Sequence, residues 1–105
     1  LAVGEFQRAI EDYDEAIRLN PQDADAFYNR GLAYINLGEF QQAIQDYGEA
    51  ILLDPRLAVA YANRARANTL LGMDIEAQKD VEQAIALGFD ATILADDIQT
   101  LKQNR

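Results

Sequence analysis

Asn29 and Asn63 stand thirty-four positions apart in a chain of 105 residues, each two places after an aromatic, Phe27 and Tyr61. An amide side chain both donates and accepts hydrogen bonds, so it can pair with a peptide unit whatever side chains that peptide carries. Arg30 and Arg64 follow at the same spacing, and Asp12, Asp46 and Asp80 form a carboxylate row with that period. A guanidinium on a packed helix needs a partner, and a repeated carboxylate supplies a bidentate one. These groups are therefore read as pairs that fix how one unit sits on the next. An exposed arginine row for acidic ligands is their functional alternative.

Catalysis has little to work with. The chain holds no cysteine, no histidine and no serine, which removes the nucleophile and base arrangements that sequence can reveal, along with sulfur- or imidazole-ligated metals. No enzyme activity, no cofactor and no metal site is expected. The acidic cluster Glu11, Asp12, Asp14 and Glu15 flanks Ile10, Tyr13 and Ile17 at helical spacing, the pattern of a solvated face. Asp23 and Asp25 lack the glycine and distal glutamate of a calcium loop, so Asp23 reads as a helix cap and Asp25 as an acid near a positive helix end. Gly4, Gly38 and Gly72 recur one period apart as hairpin turns, not as a phosphate loop. A net charge of −9 disfavours nucleic acid and anionic membranes and leaves protein or peptide partners, with basic or neutral ones expected ahead of acidic ones. No apolar run reaches the roughly 18 residues that span a bilayer, and the opening residues show no basic, apolar, small-residue leader pattern, so a soluble segment is expected, with a removed leader as the alternative. With neither serine nor an Asn-x-Ser/Thr site, a cytoplasmic setting is expected ahead of a secreted one.

These residues are positioned by a repeat. Phe27, Gly31, Leu32, Tyr34, Ile35 and Leu37 fall at helical spacing, Gly38 interrupts, and Phe40, Ala43, Ile44, Tyr47, Ala50, Ile51 and Leu53 resume it before Asp54-Pro55 stops the second run. The unit is a helical hairpin. A shift of thirty-four residues aligns Ala9, Ala43 and Ala77; Tyr13, Tyr47 and Val81; Ala16, Ala50 and Ala84; and Ile17, Ile51 and Ile85. Gly31, Ala43 and Ala50 stand where helices must approach closely.

The period, with Phe27, Gly31, Tyr34, Gly38, Phe40, Ala43, Tyr47, Ala50 and Pro55 in their places, closely resembles the tetratricopeptide repeat family over nearly the whole chain. The resemblance implies an all-α fold, a right-handed superhelical solenoid of antiparallel hairpins with about six helices. Residues 1–23 are then the second half of a truncated repeat, 24–57 a complete repeat, 58–90 a divergent last repeat and 91–105 a capping helix. It also implies that Asn29 and Asn63 line a concave groove and grip the backbone of an extended peptide. Helical geometry puts Asp25, Tyr28, Leu32, Ile35 and Asn36 on the face of Asn29, and Val59, Ala62, Arg66, Thr69 and Leu70 beside Asn63. That face is mixed, with Arg66 as its single positive handle. A class within the family clamps a terminal carboxylate with basic and asparagine residues on successive first helices. Only Asn29 fits, because Val59 and Asn63 stand where cations belong, so that role is disfavoured.

The ends carry separate expectations. Leu1 to Val3 read as the tail of a first helix whose body is absent, and residues 5–19, from Glu5 to Leu19, as an orphan second helix in a fragment of a longer protein. Its stripe Phe6, Ala9, Ile10, Tyr13, Ala16 and Ile17 should lack part of its cover and favour self-association. Asn68, Ala65 and Asp74 replace Tyr34, Gly31 and Phe40 and should weaken the next interface. Gly88 can end the helix with Phe89 packing back. After Asp90, Leu94, Ile98 and Leu101 make one apolar stripe, received by Met73, Ile75, Val81 and Phe89. Assembly of the repeats with copies of themselves is the competing function, with the groove incidental.

Overall fold

A computed structural model describes residues 2–105, and among them the chain forms six α-helices and no strand. These are α1 (Val3–Leu19), α2 (Ala24–Asn36), α3 (Phe40–Leu53), α4 (Ala58–Leu70), α5 (Asp74–Ala86) and α6 (Ala91–Asn104). Leu1 lies outside the described residues. Val3 already opens α1 and Gly4 sits inside it, so neither the helix tail expected at Val3 nor the turn expected at Gly4 is present.

Helix starts and stops follow local chemistry. The Asp23 carboxylate accepts from the Ala26 amide at 3.2 Å and that of Asp90 from the Ile93 amide at 2.9 Å, capping α2 and α6. Gly38 takes φ of 76°, so the Glu39 amide reaches back to the Tyr34 carbonyl at 2.9 Å and closes the end of α2. Phe89, next after Gly88 at φ 103°, makes the same return bond to Ala84 at 3.0 Å, which turns its ring onto the core. The ends of α1 and α3 fall just before Asn20-Pro21 and Asp54-Pro55.

The helices pair as antiparallel hairpins, α2 with α3 and α4 with α5, and α1 packs on α2. The first hairpin closes on Tyr47, which is fully buried. It fits because α2 carries Gly31 there: a Cβ on that residue would lie 2.7 Å from Tyr47 Cε1. In the second hairpin Val81 replaces the tyrosine and Ala65 the glycine, so a smaller knob meets a fuller wall. Within its own hairpin the replacement of Gly31 by Ala65 is thus matched by the smaller Val81.

Successive units do not stack identically. Helix α4 lies chiefly on α3 and only touches α2, whereas α6 lies chiefly on α4 and only touches α5. Leu94 and Ile98 seal a core with Ala62, Ala65, Val81 and Ala84, edged by Phe89. Full burial of Leu94 alone is worth about 1.5–3 kcal/mol. Met73 and Ile75 stay exposed instead of receiving α6. At the far end of α6, Arg105 donates to Asp74 Oδ1 and Oδ2 at 2.6 and 2.8 Å and to the Thr69 carbonyl at 2.8 Å. At the opposite end of the molecule α1 has no buried residue.

Candidate functional site

The face singled out on α2 is half open. Asp25 and Asn36 are exposed, and Tyr28, Asn29, Leu32 and Ile35 are half-buried. Tyr28 and Ile35 lean inward on the cluster of Ala43, Tyr47 and Ala60, so each divides its side chain between core and surface. The Tyr28 and Tyr47 rings lie 5.8 Å apart, tilted by 45°. Asn36 donates to the Leu32 carbonyl at 2.8 Å, a bond within its own helix. Among the described residues no hydrogen bond uses the side chain of Asn29.

The equivalent face of α4 is closed. Ala62 and Thr69 are fully buried, and the Thr69 hydroxyl donates to the Ala65 carbonyl at 2.8 Å. The expectation that both offer surface to a ligand is not met: Leu94 and Ile98 of α6 close over Ala62, and Thr69 is buried with its carbonyl taken by Arg105. Arg66 is not a free positive handle either. Its Nη2 donates to Asp97 Oδ2 of α6 at 2.6 Å, its Nη1 to Asn63 Oδ1 at 2.7 Å, and its guanidinium lies 5.7 Å from the Phe89 ring centroid. Asn63 in turn donates to the Tyr28 hydroxyl at 2.8 Å. A continuous polar chain thus runs from α2 through α4 to α6, and it leaves Val59 and Leu70 as the α4 residues on this face with exposed apolar surface. Asp97 is the member that sequence did not single out; one carboxylate among several on α6 has no distinguishing spacing.

Burial raises the Tyr28 phenol above its ordinary range, a rise that the bond from Asn63 and the nearby Arg66 reduce. The phenol therefore stays protonated near neutrality and can donate its hydrogen outward while accepting from Asn63. Tyr47 is raised further, chiefly by burial, and its hydroxyl is a buried polar group without a partner.

The arginine–carboxylate pairs have the expected bidentate form but not the expected role. Arg30 grips Asp46 at 2.9 and 2.8 Å, and Arg64 grips Asp80 at 2.9 and 2.7 Å, each within one hairpin and not between units. Asn68 joins the second pair by donating to Asp80 at 3.1 Å. The contact between units comes from Asp14 of α1, which accepts from Arg30 Nη1 at 2.8 Å. Asp12, third in the expected row, is exposed. Asp14 was legible in principle, since it precedes Arg30 by the sixteen residues that separate Arg30 from Asp46. Asp46 holds Arg30 firmly protonated, with Asp14 adding to the effect.

Among the described residues no helix is long and apolar enough to cross a membrane, and no three or more acidic side chains converge as a metal site would need.

Comparison with known proteins agrees with this architecture. Models described as TPR repeat and as tetratricopeptide repeat match residues 2–38 and 24–57. The second TPR of Spaghetti (RPAP3), solved bound to the HSP90 peptide SRMEEVD, is 37% identical with a TM-score of 0.78, covering 80% of this chain and 78% of that one. The second TPR domain of human RPAP3, in complex with the HSP70 peptide SGPTIEEVD, is 32% identical with a TM-score of 0.85, covering 94% and 82%. The Arabidopsis OM64 TPR domain is 31% identical with a TM-score of 0.85, covering 97% and 84%. No curated protein matches the sequence. Thirty-four-residue helical hairpins, an aromatic seated on a glycine and these similarities lead to one conclusion: the chain belongs to the tetratricopeptide repeat family, as an all-α repeat scaffold of protein–protein interaction.

Proposed function

We propose that the chain binds an extended segment of a partner protein along the face of α2, with Asn29 pairing to its backbone and Tyr28, Leu32 and Ile35 contacting its side chains. One observation carries this reading: Asn29 keeps a half-buried amide out of every hydrogen bond among the described residues, between side chains that are themselves half open. A half-buried amide that both donates and accepts is suited to a peptide unit. Asp25 and Asn36 extend the surface at its two ends. On α4 the same surface narrows to Val59, Leu70 and the outer edge of Asn63, because Arg66 is already paired. Related TPR domains that are bound to HSP90 and HSP70 peptides support peptide recognition as the class of function. A terminal-carboxylate clamp is a poorer fit here, since Val59 and Asn63 stand where cations would be needed and Asp97 already occupies Arg66.

The test is a displayed library of random twelve-residue peptides panned against the chain, followed by calorimetry with the selected peptide. Asn29→Ala and Leu32→Ala should each weaken binding about tenfold, the worth of one peptide hydrogen bond or one buried apolar side chain. A selected peptide whose affinity ignores both changes would refute the site. A second reading rests on α1, which has no buried residue and leaves Val3 and Leu19 largely exposed. Self-association through α1 requires a mass that rises with concentration in sedimentation equilibrium; a constant monomer mass removes it.

A further inference from the structure

The two repeat-related arginines are finished differently. Arg30 stands sixteen residues after Asp14 and sixteen before Asp46, and its guanidinium holds both carboxylates. Arg64 holds Asp80 through Nε and Nη2 in the same bidentate manner. Sixteen residues before Arg64, where the register places the counterpart of Asp14, stands Gly48. The carboxylate that should complete Arg64 has no side chain to carry it.

Geometry agrees with the register. A Cβ built on Gly48 would lie 3.8 Å from Arg64 Nη1, an ordinary contact distance, so Nη1 faces the place from which a carboxylate reaches Arg30 in the preceding hairpin. No hydrogen bond among the described residues uses that nitrogen. Gly48 and Arg64 lie in the wall of an open surface pocket of about 530 Å³ that Phe27, Arg30, Ile51 and Leu52 also line, with none of the Asn29 face contributing. Asp46 also lines it but is turned onto Arg30, and Glu49 lines it as an exposed residue whose charge solvent screens. Leu52, 75% exposed, gives the rim an apolar side.

We infer that this pocket on α3 and α4 is a second docking site, which receives an aspartate or glutamate side chain of a partner protein on Arg64 Nη1, with a neighbouring apolar side chain on Leu52. The precedent is internal. Arg30 shows that a guanidinium already paired with one buried carboxylate donates to a second, exposed one at 2.8 Å in this scaffold. A protein segment suits the pocket better than a free anion because the charged donor and the apolar rim lie side by side.

Two measurements test it on the whole chain. Gly48→Asp supplies the carboxylate from within, and Gly48→Asn matches it in shape and helix propensity without the charge. The Asp variant should melt about 3 °C above the Asn variant at low salt, with the gap shrinking in molar salt. Equal melting temperatures would overturn the inference. In the second measurement, blocked Leu-Glu-Leu and Leu-Gln-Leu peptides and sodium acetate are titrated at matched ionic strength into isotope-labelled protein. The glutamate peptide should shift the Gly48 amide and the Arg64 side chain saturably and at least fivefold more tightly than either control, and Gly48→Asp should abolish the shifts. Equal behaviour of the glutamine peptide, a match by acetate, absence of any shift, or persistence in Gly48→Asp would each overturn it.

Discussion

Asn29 on α2 and Asn63 on α4 occupy the same place in the repeat, one thirty-four-residue period apart, yet their surroundings are opposite. Asn29 borders open surface, while Asn63 is fastened between the Tyr28 hydroxyl and Arg66. The difference arises from the helix that packs next. Helix α4 settles on α3 and leaves the face of α2 half clear; α6 settles on α4 and closes over Ala62. Equivalent sequence positions are thus not equivalent sites, because exposure is a property of the next helix along.

Beneath these faces the two hairpins also differ in how their ion pairs are supported, and the largest predicted effects lie there. Asp80→Ala leaves Arg64 with no carboxylate and Asn68 without its acceptor, whereas Asp46→Ala leaves Arg30 still holding Asp14. Breaking a buried pair costs about 3–5 kcal/mol. Asp80→Ala should therefore approach that loss in urea denaturation, with Asp46→Ala milder by about 1 kcal/mol, the worth of one retained hydrogen bond. Equal losses would mean that Asp14 contributes nothing.

The interior swap of glycine and aromatic comes next. Gly31→Ala would press a methyl to 2.7 Å from the Tyr47 ring and should destabilise by about 1–3 kcal/mol. Ala65→Gly opens no clash and should cost only about 1 kcal/mol, the loss of helix propensity. Thermal melts of the two variants distinguish a seated ring from a general preference for small residues.

Tyr47→Phe should cost nothing or stabilise by up to about 1 kcal/mol near neutral pH, since it removes a buried hydroxyl without a partner. The alkaline limb gives a second reading. Burial raises the Tyr47 phenol above its unfolded value, so its contribution is intact below about pH 10 and lost as pH rises through the folded value. Tyr47→Phe should flatten that limb of the stability profile, and an unchanged limb would contradict the assignment.

The smallest effect concerns the tether of α6. Arg105 bonds Asp74 and holds its carboxyl below the ordinary range, so this contribution is present above about pH 4 and fades as pH falls through the lower folded value. Hydrogen-exchange protection factors in α6, corrected for the intrinsic pH dependence of exchange, should fall in acid more for the wild type than for Asp74→Asn, whose tether is already weakened at neutral pH. Identical acid profiles would show that the tether is idle.

Much of the architecture is legible in the residues because the repeat states it several times. Ala43 and Ala50 recur on both sides at a thirty-four-residue period, and Tyr47 recurs at Tyr13, a register that paired helices produce, and Asp23 and Asp90 cap where helix chemistry puts them. The pairing partners were half legible: Arg30 and Asp46 share a register, but register alone does not say whether they meet within a hairpin or across two. The open and closed faces were not legible. Whether Ala62 meets solvent depends on how Leu94 and Ile98 of α6 seat against it and against Val81, a contact between residues far apart in sequence.

The most direct test maps where a peptide lands. Backbone amide shifts recorded while a panned peptide is titrated into the labelled chain should concentrate on α2, at Tyr28, Asn29, Leu32, Ile35 and Asn36, and leave Leu94, Asp97 and Ile98 in place. Shifts centred on α6, with loss of protection at Ala62 and Thr69, would show that the peptide displaces the cap and would contradict an open face on α2 as the working surface.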